Sequence, residues 1–147
     1  MATTLNFILH IIMTAYITRT TINQIMRHAM SRPGQEVCGL VGSSAGHTRV
    51  YPIQNIARQN ECRYIMDPQQ QIAAMRQMRE AGESLFAIYH SHPHAPAVPS
   101  ALDIAEAAYP EALYLIVSLD TEGVVDVRGY QLQGQEMQSL ELEMIND

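Results

Sequence analysis

The feature that most constrains the fold is a nearly continuous apolar run at residues 112–119. An uninterrupted apolar strand is typical of the centre of a sheet that is covered on both faces. Helix and strand patterns alternate on either side of this run. The sequence therefore predicts an α/β domain with a mixed central sheet and two or three packed helices.

Three helices have recognisable start signals. Thr21 precedes apolar residues at helical spacing, and Gln24 follows three residues later, which predicts an N-cap with a capping box. Residues 67–70 read Asp-Pro-Gln-Gln, and this order predicts a second helix that ends before Gly82. A third, short helix is predicted at residues 100–108.

The strand predictions come from apolar or alternating segments bounded by turn residues. Besides the central run, strands are predicted at residues 36–42, 48–56, 64–66, 85–90, 124–132 and 139–145. The last of these is predicted to lie at an edge of the sheet.

Length and composition exclude several classes of protein. A chain of 147 residues with 47% hydrophobic and 16% charged residues fits one globular domain. The formal net charge of -6 disfavours nucleic-acid binding, which needs a basic surface.

Residues 1–16 are predicted to be an N-terminal extension and residues 17–147 the single domain. The apolar stretch near the N-terminus is too short for a membrane span.

The two cysteines, Cys38 and Cys62, do not form a CxxC pair, so a zinc site of their own is not expected. A reducing, cytoplasmic location is the default for such a chain. Cys38 is predicted to be a small core residue.

Metal-binding chemistry is indicated by His90, His92 and Asp103. The histidines end a predicted strand, and a loop with three prolines then leads to the helix that carries Asp103. Two imidazoles and one carboxylate, with a fourth position open for water, are typical of a catalytic zinc site. Bound zinc lowers the pKa of that water to about 7.

A general base is also needed, and Glu36 is the candidate. This carboxylate stands at the start of an otherwise apolar strand, directly after the break at Pro33-Gly34. Alone, Glu36 would be a solvated strand-end residue, His90-x-His92 a weak signal and Ser100-x-x-Asp103 a capping box. Their coincidence is what indicates a metal centre.

These residues resemble the JAMM motif of MPN-domain metalloproteases at every position and with its internal spacing: Glu36, His90-x-His92, then Ser100 and Asp103. The surrounding Glu-x-Cys-Gly-Leu-x-Gly, His-Ser-His-Pro and Pro-Ser-x-x-Asp sequences resemble small bacterial members. The resemblance spans residues 17–130.

The resemblance implies an MPN (cytidine-deaminase-like) α/β/α sandwich and a zinc metallopeptidase. His90, His92 and Asp103 would bind zinc, Glu36 would activate water, and Ser100 would donate a hydrogen bond to the developing oxyanion. The implied substrate is a ubiquitin-like sulfur-carrier protein, cut after its C-terminal Gly-Gly.

Two alternatives remain at this stage. A non-catalytic MPN scaffold or binding module is disfavoured because every ligand and the base are present. A zinc deaminase would need an H-x-E and a P-C-x-x-C sequence, and neither occurs here.

Overall fold

The computed structural model describes residues 13–147. Their strands are β1 (Thr14–Thr18), β2 (Cys38–Ser44), β3 (His47–Ile53), β4 (Ser84–His92), β5 (Leu113–Ser118), β6 (Asp126–Gln133) and β7 (Glu136–Ile145). Their helices are α1 (Arg19–Ser31), α2 (Pro68–Glu80) and α3 (Ala101–Glu106). The strands form one sheet in the order β1-β7-β6-β5-β4-β2-β3. The β1–β7 and β4–β5 pairs are parallel and the others antiparallel, which confirms the predicted mixed sheet.

Helices cover both faces of this sheet. β5 lies at its centre, and all six residues of the strand are buried, as the apolar run predicts. The core forms two clusters, one of which contains Ile22 and Ile25 of α1, while the other contains Ala74 and Met78 of α2. The predicted α/β/α sandwich is confirmed.

The first helix begins earlier than its sequence pattern predicts. Thr18 is the N-cap, and its hydroxyl accepts a hydrogen bond from the Thr21 backbone N–H at 3.2 Å. The predicted cap at Thr21 with Gln24 is therefore wrong. Thr18 ends β1 in an extended conformation, so the strand leads directly into the helix and the capping role falls to its last residue.

The last strand is not at an edge of the sheet, because β1 pairs with β7 in parallel from Thr14–Glu141 to Thr18–Ile145. The edge prediction is wrong because local patterns could not show a partner at the other end of the chain. This pairing also places residues 14–16 in the sheet, although the sequence predicts an extension over residues 1–16. Residues 1–12 of that predicted extension lie outside the described residues.

Other boundaries shift by a few residues. β2 begins at Cys38, so Glu36 precedes the strand instead of starting it. Instead of the strand predicted at 64–66, an isolated bridge joins Asn55 to Met66. The α2 start is confirmed, with the Asp67 side chain accepting hydrogen bonds from the backbone N–H groups of Gln69 and Gln70. Among residues 13–147, no helix has both the length and the apolar character needed to cross a bilayer.

Candidate metal centre

Two histidines lie on one face of β4, at its carboxyl end. Side chains alternate along a strand, so His90 and His92 share the face of Ile88, while Ser91 faces the opposite side with Tyr89. The histidines are only 3% and 5% exposed. β5 runs parallel beside them, pairing Ser118 with His92. The sheet itself therefore places both imidazoles.

The predicted ligands meet at one point. Nε2 of His90 lies 3.0 Å from Nε2 of His92, and Oδ2 of Asp103 lies 3.2 and 3.1 Å from these two nitrogens. Donor atoms of Glu36, His90 and His92 also lie within 4.8 Å of one another. Two imidazoles and two carboxylates thus surround one small volume.

The protonation of His92 shows what this volume requires. Nδ1 of His92 lies 2.8 Å from the carbonyl oxygen of Pro96. A carbonyl can only accept, so Nδ1 carries a proton, and whenever the ring is neutral Nε2 presents a lone pair. This lone pair lies 3.1 Å from an Asp103 carboxylate oxygen, another acceptor. A cation between the two, either a proton or a metal ion, would remove their repulsion. Burial acts to lower the pKa of His92, but contacts with Asp103 and the Pro96 carbonyl outweigh it and raise that pKa.

The donor set fits zinc. Tetrahedral zinc with bonds of about 2.0–2.1 Å separates its ligand atoms by about 3.3–3.4 Å. The three atoms of His90, His92 and Asp103 are 3.0 to 3.2 Å apart. The Pro96 carbonyl that orients His92 is the kind of outer partner that metal-binding histidines usually have.

The proline-rich loop after β4 is held by three consecutive carbonyl groups. Ala95 accepts a hydrogen bond from the Ser118 hydroxyl at 2.7 Å, Pro96 accepts from His92, and Ala97 accepts from the Tyr130 hydroxyl. These contacts give the loop a defined path from the sheet to α3. The turn needed to bring Asp103 back to the histidines therefore has an identifiable cause.

Asp103 reaches the centre from the first turn of α3. Ser100 is the N-cap, its hydroxyl accepts a hydrogen bond from the Asp103 N–H at 3.0 Å, and Asp103 Oδ2 accepts one from the Ser100 N–H at 2.9 Å. This capping box is confirmed, and it coexists with the metal-binding geometry. The exposed Ser100 hydroxyl keeps its own proton available for donation.

Glu36 lies in a rigid segment between the turn after α1 and β2. Its backbone N–H donates to the carbonyl of Asn60 at 2.7 Å, and its own carbonyl accepts from the Asn55 side chain at 2.9 Å. The side chain is 5% exposed, and Oε1 has no hydrogen-bond partner among the described residues. A buried carboxylate oxygen without a partner is typical of a group that acts on water or a ligand.

Ser91 connects the Glu36 segment to the histidine strand. Its hydroxyl accepts a hydrogen bond from the Val37 N–H at 2.8 Å and contacts the Gln35 carbonyl at 3.5 Å. These groups lie on either side of Glu36. Ser91 is fully buried, and in the sequence it stands between His90 and His92. Its side chain therefore holds the candidate base in position relative to the two histidines.

A profile of prokaryotic homologs of the JAB domain matches residues 18–132, most of the chain. The chain belongs to this prokaryotic JAB family. The predicted family resemblance is confirmed.

Relatives of this JAB domain are named as peptidases. It is 37% identical to desampylase of Haloferax volcanii, covering 63% of this chain and 68% of that protein. It is 33% identical to the probable TtuB-protein conjugate cleaving protease of Thermus thermophilus, covering 83% and 79%. It is 31% identical to the CysO-cysteine peptidase of Mycobacterium tuberculosis, covering 76% and 77%.

Solved structures agree on the fold. A protein from Desulfitobacterium hafniense superposes with a TM-score of 0.78 at 29% identity, covering 92% of this chain and 94% of that one. A JAB1/MPN domain protein from Archaeoglobus fulgidus gives 0.51 at 18% identity, covering 90% and 96%. The predicted MPN fold is therefore confirmed for this JAB domain.

The two carboxylates of the JAB centre have opposite pKa shifts. Burial raises the pKa of Glu36 to about 7, with Asp103 raising it further and His92 opposing the change. Burial also acts to raise the pKa of Asp103, but hydrogen bonds with His90 and His92 outweigh it and hold that pKa well below its ordinary value. One carboxylate is therefore suited to exchange protons near neutral pH and the other to remain a charged ligand.

Tyr64 is a further residue at the centre, and its ring stacks on His90 with centroids 4.6 Å apart and an angle of 28°. No sequence pattern marked this residue. His28 is half-buried, and its Nδ1 is hydrogen-bonded to the Tyr89 hydroxyl at 2.7 Å. His94, in the loop after β4, is exposed.

Cys38 is a core residue, as predicted, and lies directly opposite His90 across the β2–β4 pair. Burial and the nearby Glu36 carboxylate raise the pKa of its thiol to about 12. The thiolate is therefore negligible at neutral pH, and this cysteine is unsuited to act as a nucleophile.

Proposed function

We propose that this protein is a zinc metallopeptidase that cuts the bond after the C-terminal Gly-Gly of a ubiquitin-like sulfur-carrier protein. One observation supports it above all others: His90, His92 and Asp103 bring three acceptor atoms within 3.2 Å of one another, beside the buried Glu36 carboxylate. In this proposal His90, His92 and Asp103 hold the metal. Zinc there would supply a water molecule of lowered pKa and polarise the scissile carbonyl.

Glu36 acts as the general base. Its unpartnered Oε1 accepts a proton from the attacking water and then delivers it to the leaving nitrogen. The raised pKa supports both transfers, because a base that titrates near neutral pH can take up and release a proton with little cost.

Ser100 stabilises the negative charge that develops on the carbonyl oxygen. Its oxygen already accepts a hydrogen bond from Asp103, so its hydroxyl proton can be directed toward the substrate. Preorganised donors of this kind lower the barrier because they need little rearrangement in the transition state.

The substrate class is proposed from the relatives, whose names refer to conjugates of TtuB and to CysO-cysteine. A Gly-Gly tail has no side chains, so it can approach a buried centre closely. A non-catalytic scaffold is the alternative, and the unpartnered Glu36 oxygen argues against it because a scaffold has no need for a buried, unpaired carboxylate.

The test uses purified full-length protein loaded with zinc and a ubiquitin-like carrier ending in Gly-Gly-Cys. We expect zinc-dependent release of the last residue, detected by mass spectrometry. Glu36→Gln should retain zinc but lose activity by about 10²- to 10⁴-fold, the usual contribution of a general base.

Loss of zinc in Glu36→Gln would show that Glu36 is a ligand and not the base. Failure of the zinc-loaded wild type to cleave any carrier, or failure of the folded protein to bind zinc, would favour the scaffold.

A further inference from the structure

The side-chain amide of Asn55 makes four hydrogen bonds to backbone groups beside the metal centre. Asn55 stands two residues after β3, and its Nδ2 donates to the carbonyl oxygens of Glu36 at 2.9 Å and Arg63 at 3.0 Å. Its Oδ1 accepts from the N–H groups of Ala57 at 3.0 Å and Ile65 at 2.9 Å. A side-chain amide has two donor hydrogens and two acceptor lone pairs, so this one is fully satisfied and has a single fixed orientation.

Two of these hydrogen bonds enclose Tyr64. Arg63 and Ile65 are its neighbours in the chain, and they bond to the Asn55 amide through a carbonyl and an N–H respectively. The Ile65 carbonyl in turn accepts a hydrogen bond from the Ile56 N–H at 2.9 Å. The backbone at Tyr64 is therefore held on both sides, although this residue belongs to no helix or strand.

The ring of Tyr64 packs on His90, the ligand that lacks a backbone partner like that of His92. Nδ1 of His92 is oriented by the Pro96 carbonyl. Within residues 13–147, His90 makes its side-chain hydrogen bonds through Nε2 alone, to His92 and Asp103, the groups that would share the metal with it. The orientation of the His90 ring therefore depends on packing, and the stacked Tyr64 ring supplies one side of that packing.

Resting on the proposed function, we propose that Asn55 is a positioning residue for both the base and the metal. It holds the Glu36 segment directly, and it holds His90 through the Tyr64 ring. Its four hydrogen bonds all go to backbone atoms, so it acts through these two groups. Displacement of His90 should lower the affinity for zinc, whereas displacement of Glu36 should lower the rate of the zinc-loaded enzyme.

Substitutions of Tyr64 test the connection to His90. Competition with a chelating dye measures the zinc affinity of the full-length protein. Tyr64→Phe keeps the ring and should bind zinc as tightly as wild type. Tyr64→Leu should bind zinc about 10-fold more weakly, at the lower end of the usual effect of losing an outer partner of a metal ligand.

Tyr109→Leu is the matched control for Tyr64→Leu. Both tyrosines are partly buried and line the same cavity of about 410 Å³. In the part of the chain that the structure describes, however, the aromatic rings packed against His90 are those of Tyr64 and His92. Tyr109→Leu should therefore keep the wild-type affinity for zinc.

Asn55→Ala tests both connections at once. It should weaken zinc binding about 10-fold, as Tyr64→Leu does. Because Glu36 also moves, kcat for a carrier ending in Gly-Gly-Cys should fall about 10-fold at saturating zinc, with KM little changed. Asn55→Asp, of nearly the same size, should show both losses, since it sets a carboxylate oxygen against the Glu36 and Arg63 carbonyls.

Asn60→Ala is the control for the Asn55 variants. Asn60 also contacts Glu36, but it does so through its backbone carbonyl, which accepts from the Glu36 N–H at 2.7 Å and is kept by the substitution. Zinc affinity and kcat should match those of wild type. Thermal melts of the zinc-free variants establish that each is folded at the assay temperature.

Two results would overturn the inference and leave the proposed function intact. Wild-type zinc affinity in Tyr64→Leu would break the connection to His90, and wild-type kcat in the zinc-saturated Asn55 variants would break the connection to Glu36. If the wild type neither binds zinc nor cleaves a carrier, the proposed function fails and this inference with it.

Discussion

The strand half and the helix half of the centre are built differently. The strand half comprises β4 with His90 and His92, together with the Glu36 segment that Ser91 attaches to it; all of these residues are buried. The helix half is α3 with Ser100 and Asp103, a six-residue helix with no buried residue. The sheet therefore positions one half, while the other depends on its cap and on the histidines it contacts.

This difference extends to the two carboxylates. Glu36 is held by backbone contacts but has a side-chain oxygen without a partner among the described residues, and burial raises its pKa. Asp103 lies on a weakly anchored helix, but its Oδ2 accepts a hydrogen bond from the Ser100 N–H and contacts both imidazoles, and its pKa is lowered. The fixed position and unpartnered oxygen of Glu36 suit a general base, whereas the several polar contacts of Asp103 suit a metal ligand.

The largest effects are expected from removing a ligand in each half. His90→Ala and Asp103→Ala should both lose zinc and, because zinc supplies several kcal/mol of transition-state stabilisation, reduce kcat/KM by about 10³-fold or more. The two halves should differ in the metal-free protein. The midpoint temperature of thermal unfolding should fall clearly for His90→Ala, because this substitution leaves a cavity beside the sheet. It should fall little for Asp103→Ala. His94→Ala, in the exposed loop, is the control. Equal destabilisation by both variants would contradict the comparison.

A smaller effect is expected from the helix cap. Ser100→Ala should lower kcat by about 10²-fold through loss of the oxyanion donor. It should also cost about 1 kcal/mol in the free energy of unfolding, as N-cap removal usually does. Steady-state kinetics and urea titration measure the two effects. A loss of stability with unchanged kcat would show that Ser100 serves only as a cap.

Ser91 tests whether the strand half is one unit. Ser91→Ala leaves the Val37 N–H without its partner, so Glu36 should shift relative to the histidines while the ligands remain in place. We expect kcat to fall by about 10-fold, in the range usual for outer partners of metal sites, with zinc affinity nearly unchanged. An equal loss of zinc binding would mean that Ser91 acts on the ligands and not on the base.

The smallest effect concerns the pH dependence of stability in the zinc-free protein. The pKa of Glu36 is about 7 in the folded state against an ordinary value of 4.5, so the folded state holds its proton more tightly. Stability from this group is present below about pH 4.5 and is lost as pH rises toward 7. The stability of the Glu36→Gln variant relative to wild type should therefore increase as pH rises from about 4.5 to 7. Parallel thermal melts between pH 4.5 and 8 measure it, and a constant difference would refute the buried-base geometry.

The meeting of His90, His92 and Asp103 at one point could be predicted from sequence because it depends on short spacings within two adjoining elements. His90 and His92 are two residues apart on a strand, and Asp103 begins the next helix. The central strand at residues 112–119 was equally visible, since burial on both faces leaves a continuous apolar run.

The features of the fold and the site that could not be predicted from sequence depend on contacts between distant parts of the chain. The pairing of β1 with β7, the stacking of Tyr64 on His90 and the contact of Ser91 with Val37 all join segments without a shared local pattern. Ser91 carried a partial signal. A hydroxyl residue between two inward-facing histidines must face the opposite core, where it needs a hydrogen-bond partner.

One oxygen atom in the helix half has two tasks. Asp103 Oδ2 closes the cap of α3 and also faces both imidazoles. The stability of this helix and the affinity of the proposed centre for a metal ion are therefore thermodynamically coupled. A chelator should then do more than stop turnover: it should accelerate amide exchange in α3 while leaving β4 protected. By reciprocity, any substitution that frays the first turn of α3 should make the ion easier to withdraw.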